Sequence, residues 1–141
     1  GVFSEQWVEP LARVLQNLGS EHVLVVHAED GLDEISIGSA TRVAELKDGG
    51  ITVYTVTPEE FGLERSDLSA IAVIDAGQSL AMINEVLDNR PGPARDIVVM
   101  NAGAAIYAAG VADSLSNGID QAGEALANGR ARETLACLIR V

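Results

Sequence analysis

The stretch "VLVVHAEDGLDEISIG", residues 23–38, decides how the chain is read. With His22 it opens as "HVLVVH", a short continuous aliphatic run. That is the pattern of a strand covered on both faces, because a strand with one wet face would alternate. Four acids follow within six positions, Glu29, Asp30, Asp33 and Glu34. Open α/β sheets tend to place ligands at the carboxyl ends of strands. Mg2+ takes one or two carboxylates, keeps several waters and binds substrate phosphates as well. The adjacent pair Asp33 and Glu34, in a glycine-containing loop, could serve such a cation directly or through water. On spacing alone a solvated acidic turn is the ordinary reading, since "DE" pairs are common and no third ligand stands nearby in the chain. Glu29 and Asp30 read as surface acids, His27 as a hydrogen-bonded structural group and His22 as exposed. Gly31 reads either as a residue of positive φ or as a point of close approach.

Working outward, residues 4–18 read as an amphipathic helix, with Trp7, Val8, Leu11, Val14, Leu15 and Leu18 at three- and four-residue steps. Ser4 is its expected N-cap and Gly19 its stop, and Pro10, two turns in, predicts a kink. Downstream, "TRVAELK" (41–47) and "GITVYTVT" (50–57) alternate around "DGG", the signal of a hairpin, and read as an exposed antiparallel ribbon. "TPEE" (57–60) is a helix start with Thr57 as cap, Pro58 at the first position and Glu60 completing a capping box.

From residue 77 onward the pattern is helical, with helices at 78–90, 94–110, 114–129 and 130–141. The segment 94–110 is apolar on nearly every face and should be central. Pro93 could open it, and Ala102, Gly103, Ala104, Ala105, Ala108 and Ala109 allow neighbours to approach closely. Asn101, on that apolar helix, calls for a hydrogen-bond partner in a loop, and Arg95 with Asp96 reads as a local ion pair or cap. One buried strand cannot cover so many helices, so the chain reads as the second half of a larger α/β domain.

Composition bounds the function. The 141 residues amount to about one domain, on a prior of about 100–200 residues each. Hydrophobic residues make up 48% but aromatic ones only 4%, so the core must be aliphatic. The net charge of -12, from 21 acids against 9 bases, argues against nucleic acid and anionic membrane, which are bound through Lys/Arg clusters. The near-apolar run 97–112 falls short of a membrane span, which needs about 20 residues. The single cysteine, Cys137, has no partner for an internal disulfide and reads as an inert core thiol, so the chain is placed in the cytoplasm. There is no phosphate-cradling glycine loop, nucleophile elbow or zinc spacing.

The run "GVFSEQWVEPLARVLQNLGSEHVLVVHAEDGLDEIS", followed by "TRVAELKDGGITVYTVTPEEFGL", "GPARDIVVMNAGAAIYAAG" and "DSLSNGIDQAGEALANG", resembles anthranilate phosphoribosyltransferases over essentially the whole chain. "GLDE" alone is a weak signal; its combination with "TPEEFGL" and "NAGAAIY" is specific. The resemblance implies an α/β fold of the nucleoside phosphorylase/phosphoribosyltransferase type, with helices on a partly parallel sheet and an antiparallel ribbon. Residues 1–141 would then be one domain, the C-terminal portion of that α/β unit. It implies transfer of phosphoribosyl from phosphoribosyl pyrophosphate to anthranilate in tryptophan biosynthesis. It also implies Asp33 and Glu34 as the Mg2+-binding pair on the pyrophosphate side of the substrate.

That family's helical N-terminal domain, through which it forms a homodimer, lies upstream of the matching segment. So do its glycine-rich pyrophosphate loop, its Lys and Asn/Ser phosphate contacts and its anthranilate-binding Arg. The 141 residues alone are therefore expected to be inactive, to bind Mg2+ weakly and to associate with themselves or with the missing half. Two departures stand out. Ala28 replaces the glycine common after the histidine, and "VIDAGQSLA" (73–81) replaces a "GGDAxENA"-like stretch. The alternatives are a pyrimidine-nucleoside phosphorylase-like relative and a non-catalytic interaction or metal-binding domain.

Overall fold

A computed structural model describes residues 1–140. Its sheet is a three-stranded antiparallel meander of β1 (Val23–Ala28), β2 (Thr41–Lys47) and β3 (Gly50–Val56), in that spatial order. Val25 faces Ala44 and Ala44 faces Val53, while Val26 faces Val43 and Val43 faces Tyr54. Side chains alternate between faces along a strand, so these two rows point to opposite sides of the sheet. The β2–β3 turn has φ of 51° at Asp48 and 76° at Gly49, the left-handed pair that a two-residue hairpin requires.

Helices cover both faces. Helix α1 (Val8–Asn17) lays Val8 and Ala12 on the Val25–Ala44 face. On the other face Val26, Val43 and Val56 join a larger core with Val99 and Met100 of α3 (Pro93–Ala108) and Ile119, Ala122 and Leu126 of α4 (Leu115–Ala127). Val86 of α2 (Ala76–Leu87) closes the same core. The α/β class and the antiparallel ribbon are as the sequence implied. The parallel pairing expected of the sheet is not found among the described strands, where β1 pairs antiparallel with β2. A continuous aliphatic run reports that both faces are covered, and α1 and α3 do that here without a parallel neighbour. Nor is the ribbon exposed: β2 is the central strand, with Val43, Ala44 and Leu46 buried.

The helix ends follow local chemistry. A 3-10 turn, Glu5–Trp7, precedes α1, so Pro10 falls in the first turn of the α-helix rather than two turns in, and no kink is needed. Ser4 sits at the start of that turn without a side-chain cap bond. Gly19, at φ 88°, ends α1 as expected, its N–H donating to Gln16 O and that of Ser20 to Leu15 O. The Thr57–Glu60 capping box is present. Asp75 caps α2 by accepting from Gln78 N at 2.7 Å, so the altered 73–81 stretch still opens a helix, two residues earlier than expected. Pro93 opens α3 and Ser114 caps α4.

The last helix, α5 (Arg130–Ile139), buries no residue. Cys137 is accordingly exposed rather than a core thiol, because the apolar positions around it, Leu138 and Ile139, face outward too. The expected helix end at Val141 lies outside the described residues. No described helix is long and apolar enough to cross a membrane.

Helices α3 and α4 touch backbone to backbone. A Cβ placed on Gly103 would stand 2.5 Å from Cα and N of Ile119, and one on Gly118 would meet the carbonyl oxygen of Gly103. Neither obstacle is a side chain that could swing away. Gly103→Ala is therefore expected to destabilise the fold by about 1–3 kcal/mol or more. Ala105→Ser, on the exposed side of the same helix, should stay within about 0.5 kcal/mol. Urea unfolding of both variants checks this, and equal midpoints would refute the tight α3–α4 contact.

Candidate functional site

Between β1 and β2 the chain makes a twelve-residue excursion, 29–40, at the carboxyl end of β1. Its anchors are Ile35, 2% exposed, and Ile37, fully buried, both seated in the α3–α4 core. Burying the loop's backbone requires partners for its polar groups, and the sequence supplies them. Ser36 N–H donates to Thr41 Oγ1 at 3.0 Å, and Asp30 N–H to Ser39 Oγ at 3.1 Å. Ser36 Oγ donates to Asp30 Oδ2 at 2.5 Å, and Leu32 N–H to Asp30 Oδ1 at 3.2 Å.

Asp30 is thus exposed as expected but is not a free acid, since both of its oxygens hold the loop together. The signal was in the sequence: an Asp whose side chain accepts from the N–H two residues on is a common turn builder. Glu29 is exposed. Gly31, at φ 93°, has open space where a Cβ would go, so its backbone conformation and not close approach is what calls for glycine. Ala28 lies fully buried inside β1 and keeps negative φ, so the methyl group in place of glycine is accommodated.

Asp33 and Glu34 lie at the exposed tip of this loop. Among the described residues neither carboxylate accepts a hydrogen bond or forms an ion pair. Their lone pairs face solvent, as a cation that brings its own water and substrate oxygens would need. Among the described residues no group of three His, Cys, Asp or Glu side chains is placed to hold a metal. A closed protein cage is therefore not built here. Two carboxylates consecutive in the chain, exposed and unengaged, are a donor set that a hard, partly hydrated cation such as Mg2+ takes.

The loop is tied to the core helix by Asn101. Its Oδ1 accepts from Ile35 N at 2.9 Å, and its Nδ2 donates to Ile35 O at 2.9 Å and to Ile97 O at 3.0 Å. The sequence called for a loop partner; that the partner is the residue next to Glu34 had no signal in the pattern. His27 is structural as expected, its Nδ1 standing 2.8 Å from Val2 O. Arg95 and Asp96 form the expected local pair at 3.2 Å, with Arg95 Nε also donating to Asn89 Oδ1 at 2.7 Å.

A second polar cluster lies at the other end of β1. Glu45 Oε1 accepts from Tyr107 Oη at 2.6 Å and lies 3.0 Å from His22 Nε2, while Oε2 accepts from Tyr54 Oη at 2.9 Å. Lys47 Nζ donates to Tyr107 Oη at 3.2 Å and stands 4.7 Å above its ring. His22 is not exposed, as its position opening β1 suggested; its side chain is 14% exposed, edge-on to Tyr107. Burial pushes the Glu45 carboxyl up, but the bonds from Tyr107, Tyr54 and His22 outweigh it and hold the group below its ordinary range. Burial and then the Glu45 bond push both phenols up. Engaged this way at both oxygens, Glu45 ties His22 at the head of β1, β2, β3 and α3 together.

Residues 1–132 match the model of the glycosyl transferase family, a/b domain, and the chain belongs to that family. It is 65% identical over 139 residues to the anthranilate phosphoribosyltransferase of Thioalkalivibrio sulfidiphilus, a match covering 99% of this chain and 41% of that protein. The enzyme of the same name from Methylococcus capsulatus is 62% identical, over 99% of this chain and 42% of the relative. In three dimensions the chain superimposes on the crystal structure of anthranilate phosphoribosyltransferase from Thermus thermophilus with a TM-score of 0.87 and 39% identity, covering 100% of this chain and 42% of that one. The Saccharomyces cerevisiae enzyme in complex with PRPP and Mg shares the fold, with a TM-score of 0.84 at 24% identity. The chain thus spans about two fifths of the length of these relatives.

The Glu45 cluster makes a pH prediction whose sign is fixed by the lowered carboxyl. A group held below its ordinary 4.5 when folded stabilises the fold above that pH, and the contribution is lost as pH falls through the folded value. Glu45→Gln is therefore expected to melt below the wild type near neutral pH, with the gap narrowing as pH falls below about 4.5. Melting curves across the acid range check this; a gap that is constant with pH would remove the ionised carboxylate from the account.

Proposed function

We propose that this chain is part of an anthranilate phosphoribosyltransferase, with Asp33 and Glu34 supplying its Mg2+-binding carboxylates. The observation that carries the reading is the 65% identity over 99% of the chain to an enzyme of that name, with an exposed, unengaged Asp33–Glu34 pair at the end of β1. In the reaction, the bond from the anomeric carbon of phosphoribosyl pyrophosphate to pyrophosphate breaks, and a bond to the anthranilate amine forms. The amine's surplus proton goes to solvent. Positive charge builds on the ribose and negative charge on the leaving group. When bound, Mg2+ supplies charge neutralisation to the departing pyrophosphate.

In this reading the chain's own residues position and do not react. The Asp33 and Glu34 carboxylates hold the cation at the mouth of the sheet, and the hydrogen bonds of the 29–40 loop keep them there. Orientation of the amine, the larger requirement for such a nucleophile, falls to other residues of a chain of the relatives' length. Homodimerisation through an upstream helical domain and a cytoplasmic location belong to the same proposal.

Two assays test it. Asp33→Asn with Glu34→Gln, made in a full-length polypeptide carrying this segment, is expected to weaken Mg2+-dependent turnover by orders of magnitude. Near-wild-type rates at low Mg2+ would refute the carboxylate role. The 141 residues assayed alone are expected to show no phosphoribosyl transfer, and robust turnover by them would overturn the reading of the segment as one part of a site.

A further inference from the structure

The acidic pair sits between two anchors. On one side, Leu32 O accepts from Ala28 N at 2.9 Å while Leu32 N–H donates to Asp30. On the other, Ile35 N–H and C=O are both held by the single amide of Asn101. Among the described residues the backbones of Asp33 and Glu34 make no hydrogen bond of their own. Their placement therefore comes from residues 32 and 35, together with Gly1, which packs so closely on the Asp33 carbonyl that a Cβ there would overlap its oxygen. The Leu32 anchor is local, made by the loop itself. The Ile35 anchor is the long-range hydrogen-bonded one, and it bears on the Glu34 side; it reaches across 66 positions to α3, a helix fixed by Val99 and Met100 in the core.

The geometry of Asn101 is that of a strand partner reduced to one side chain. Its acceptor and donor pair with both polar groups of one residue, and the extra bond to Ile97 O, one turn back, stops the amide from flipping. The Ile35 nitrogen is separated from Glu34 Cα only by the Glu34 carbonyl carbon, so fixing the first leaves the second little freedom. Residues that orient metal-bearing groups without touching the metal typically change affinity by about 10–100-fold when removed.

We propose that Asn101 is a positioning residue for the divalent cation: it sets the metal affinity of the site by clamping the peptide that follows Glu34. This rests on the reading of Asp33 and Glu34 as the metal-binding pair. The clamp acts on the loop before any cation arrives, so its loss raises the metal concentration needed and leaves the rate at saturating metal largely intact.

The test uses the full-length polypeptide carrying this segment, with Mn2+ binding followed by electron paramagnetic resonance in the presence of phosphoribosyl pyrophosphate. Asn101→Ala is expected to raise the half-saturating Mn2+ concentration about tenfold. Asn101→Asp keeps the shape and the acceptor for Ile35 N–H but loses both donations, and it carries the test alone if the alanine variant does not fold. Its half-saturation point should rise as well. Tyr107→Phe, six residues along the same helix, removes the bond to Glu45 and should leave that point unchanged, which separates positioning from general loosening of α3.

Wild-type-like Mn2+ affinity in the folded Asn101 variants, with affinity lost in Asp33→Asn and Glu34→Gln, would overturn the positioning role and leave the carboxylate role standing. Unchanged affinity in the carboxylate variants themselves would overturn both. An equal shift in Tyr107→Phe would also overturn the positioning role.

Discussion

The packing of α3 against the sheet is the contact on which the rest depends. One face of this helix puts Val99 and Met100 into the aliphatic core, and Gly103 lets α4 come to backbone distance beside it. The same helix then serves polar work at both ends of the sheet. Asn101 holds the loop that leaves the carboxyl end of β1, and Tyr107 joins the Glu45 cluster at the other end. The two residues are six apart, about 9 Å along the axis at 1.5 Å per residue. A slide or roll of α3 would therefore disturb the core, the α4 contact and both polar anchorages together. That explains how Asn101 and Tyr107 are tolerated on the small, apolar stretch of this helix: each is pinned by the register that the core imposes.

Much of this was legible locally. "DGG" announced the hairpin because left-handed backbone at Asp48 and Gly49 is what so short a turn demands, and Thr57, Pro58 and Glu60 announced their turn through a capping box. The expectation that Asn101 needs a loop partner followed from the cost of an unpaired amide among apolar residues. What failed needed long-range knowledge. The direction of the strand beside β1 is not encoded in "VLVV", because coverage on both faces looks alike whichever way a neighbour runs. His22 looked exposed because its partners Glu45 and Tyr107 are distant in sequence. Cys137 looked buried because "LACLIRV" is apolar, whereas α5 touches the core only through Ala131 near its start and buries no residue fully. Pro10 was misplaced by one element boundary, since a 3-10 turn and an α-helix share the same periodic signal over so few residues.

For the site, the sequence distinguished residue types but not their engagements. The "EDGLDE" run holds four carboxylates, and their chemistry is identical until the hydrogen bonds are known. Asp30 turns out to be consumed by Ser36 and Leu32. Glu45, elsewhere on β2, is consumed in the same way by two phenols and an imidazole. Such acids hold the fold together because both oxygens are engaged, and a metal would have to share them with those bonds. Asp33 and Glu34 combine free oxygens with a tethered backbone.

That combination argues for function more strongly than either half does. Several surface acids of this chain are free, Glu29 among them, but a free acid on a loose tether must lose its freedom when it binds, and the lost entropy weakens the grip. A tethered acid whose oxygens are already engaged has less to offer a cation. Holding the backbone on either side while leaving the Asp33 and Glu34 carboxylates without partners meets both conditions. It also explains why the loop uses short hydrogen-bonding residues (Asp30, Ser36 and Ser39, with Thr41 at the start of β2) around just two isoleucine plugs. The polar residues fix the path of the backbone, and the plugs fix its depth. The carboxylates are left at the surface, where a cation carrying water and phosphate oxygens can reach them without the protein having to open.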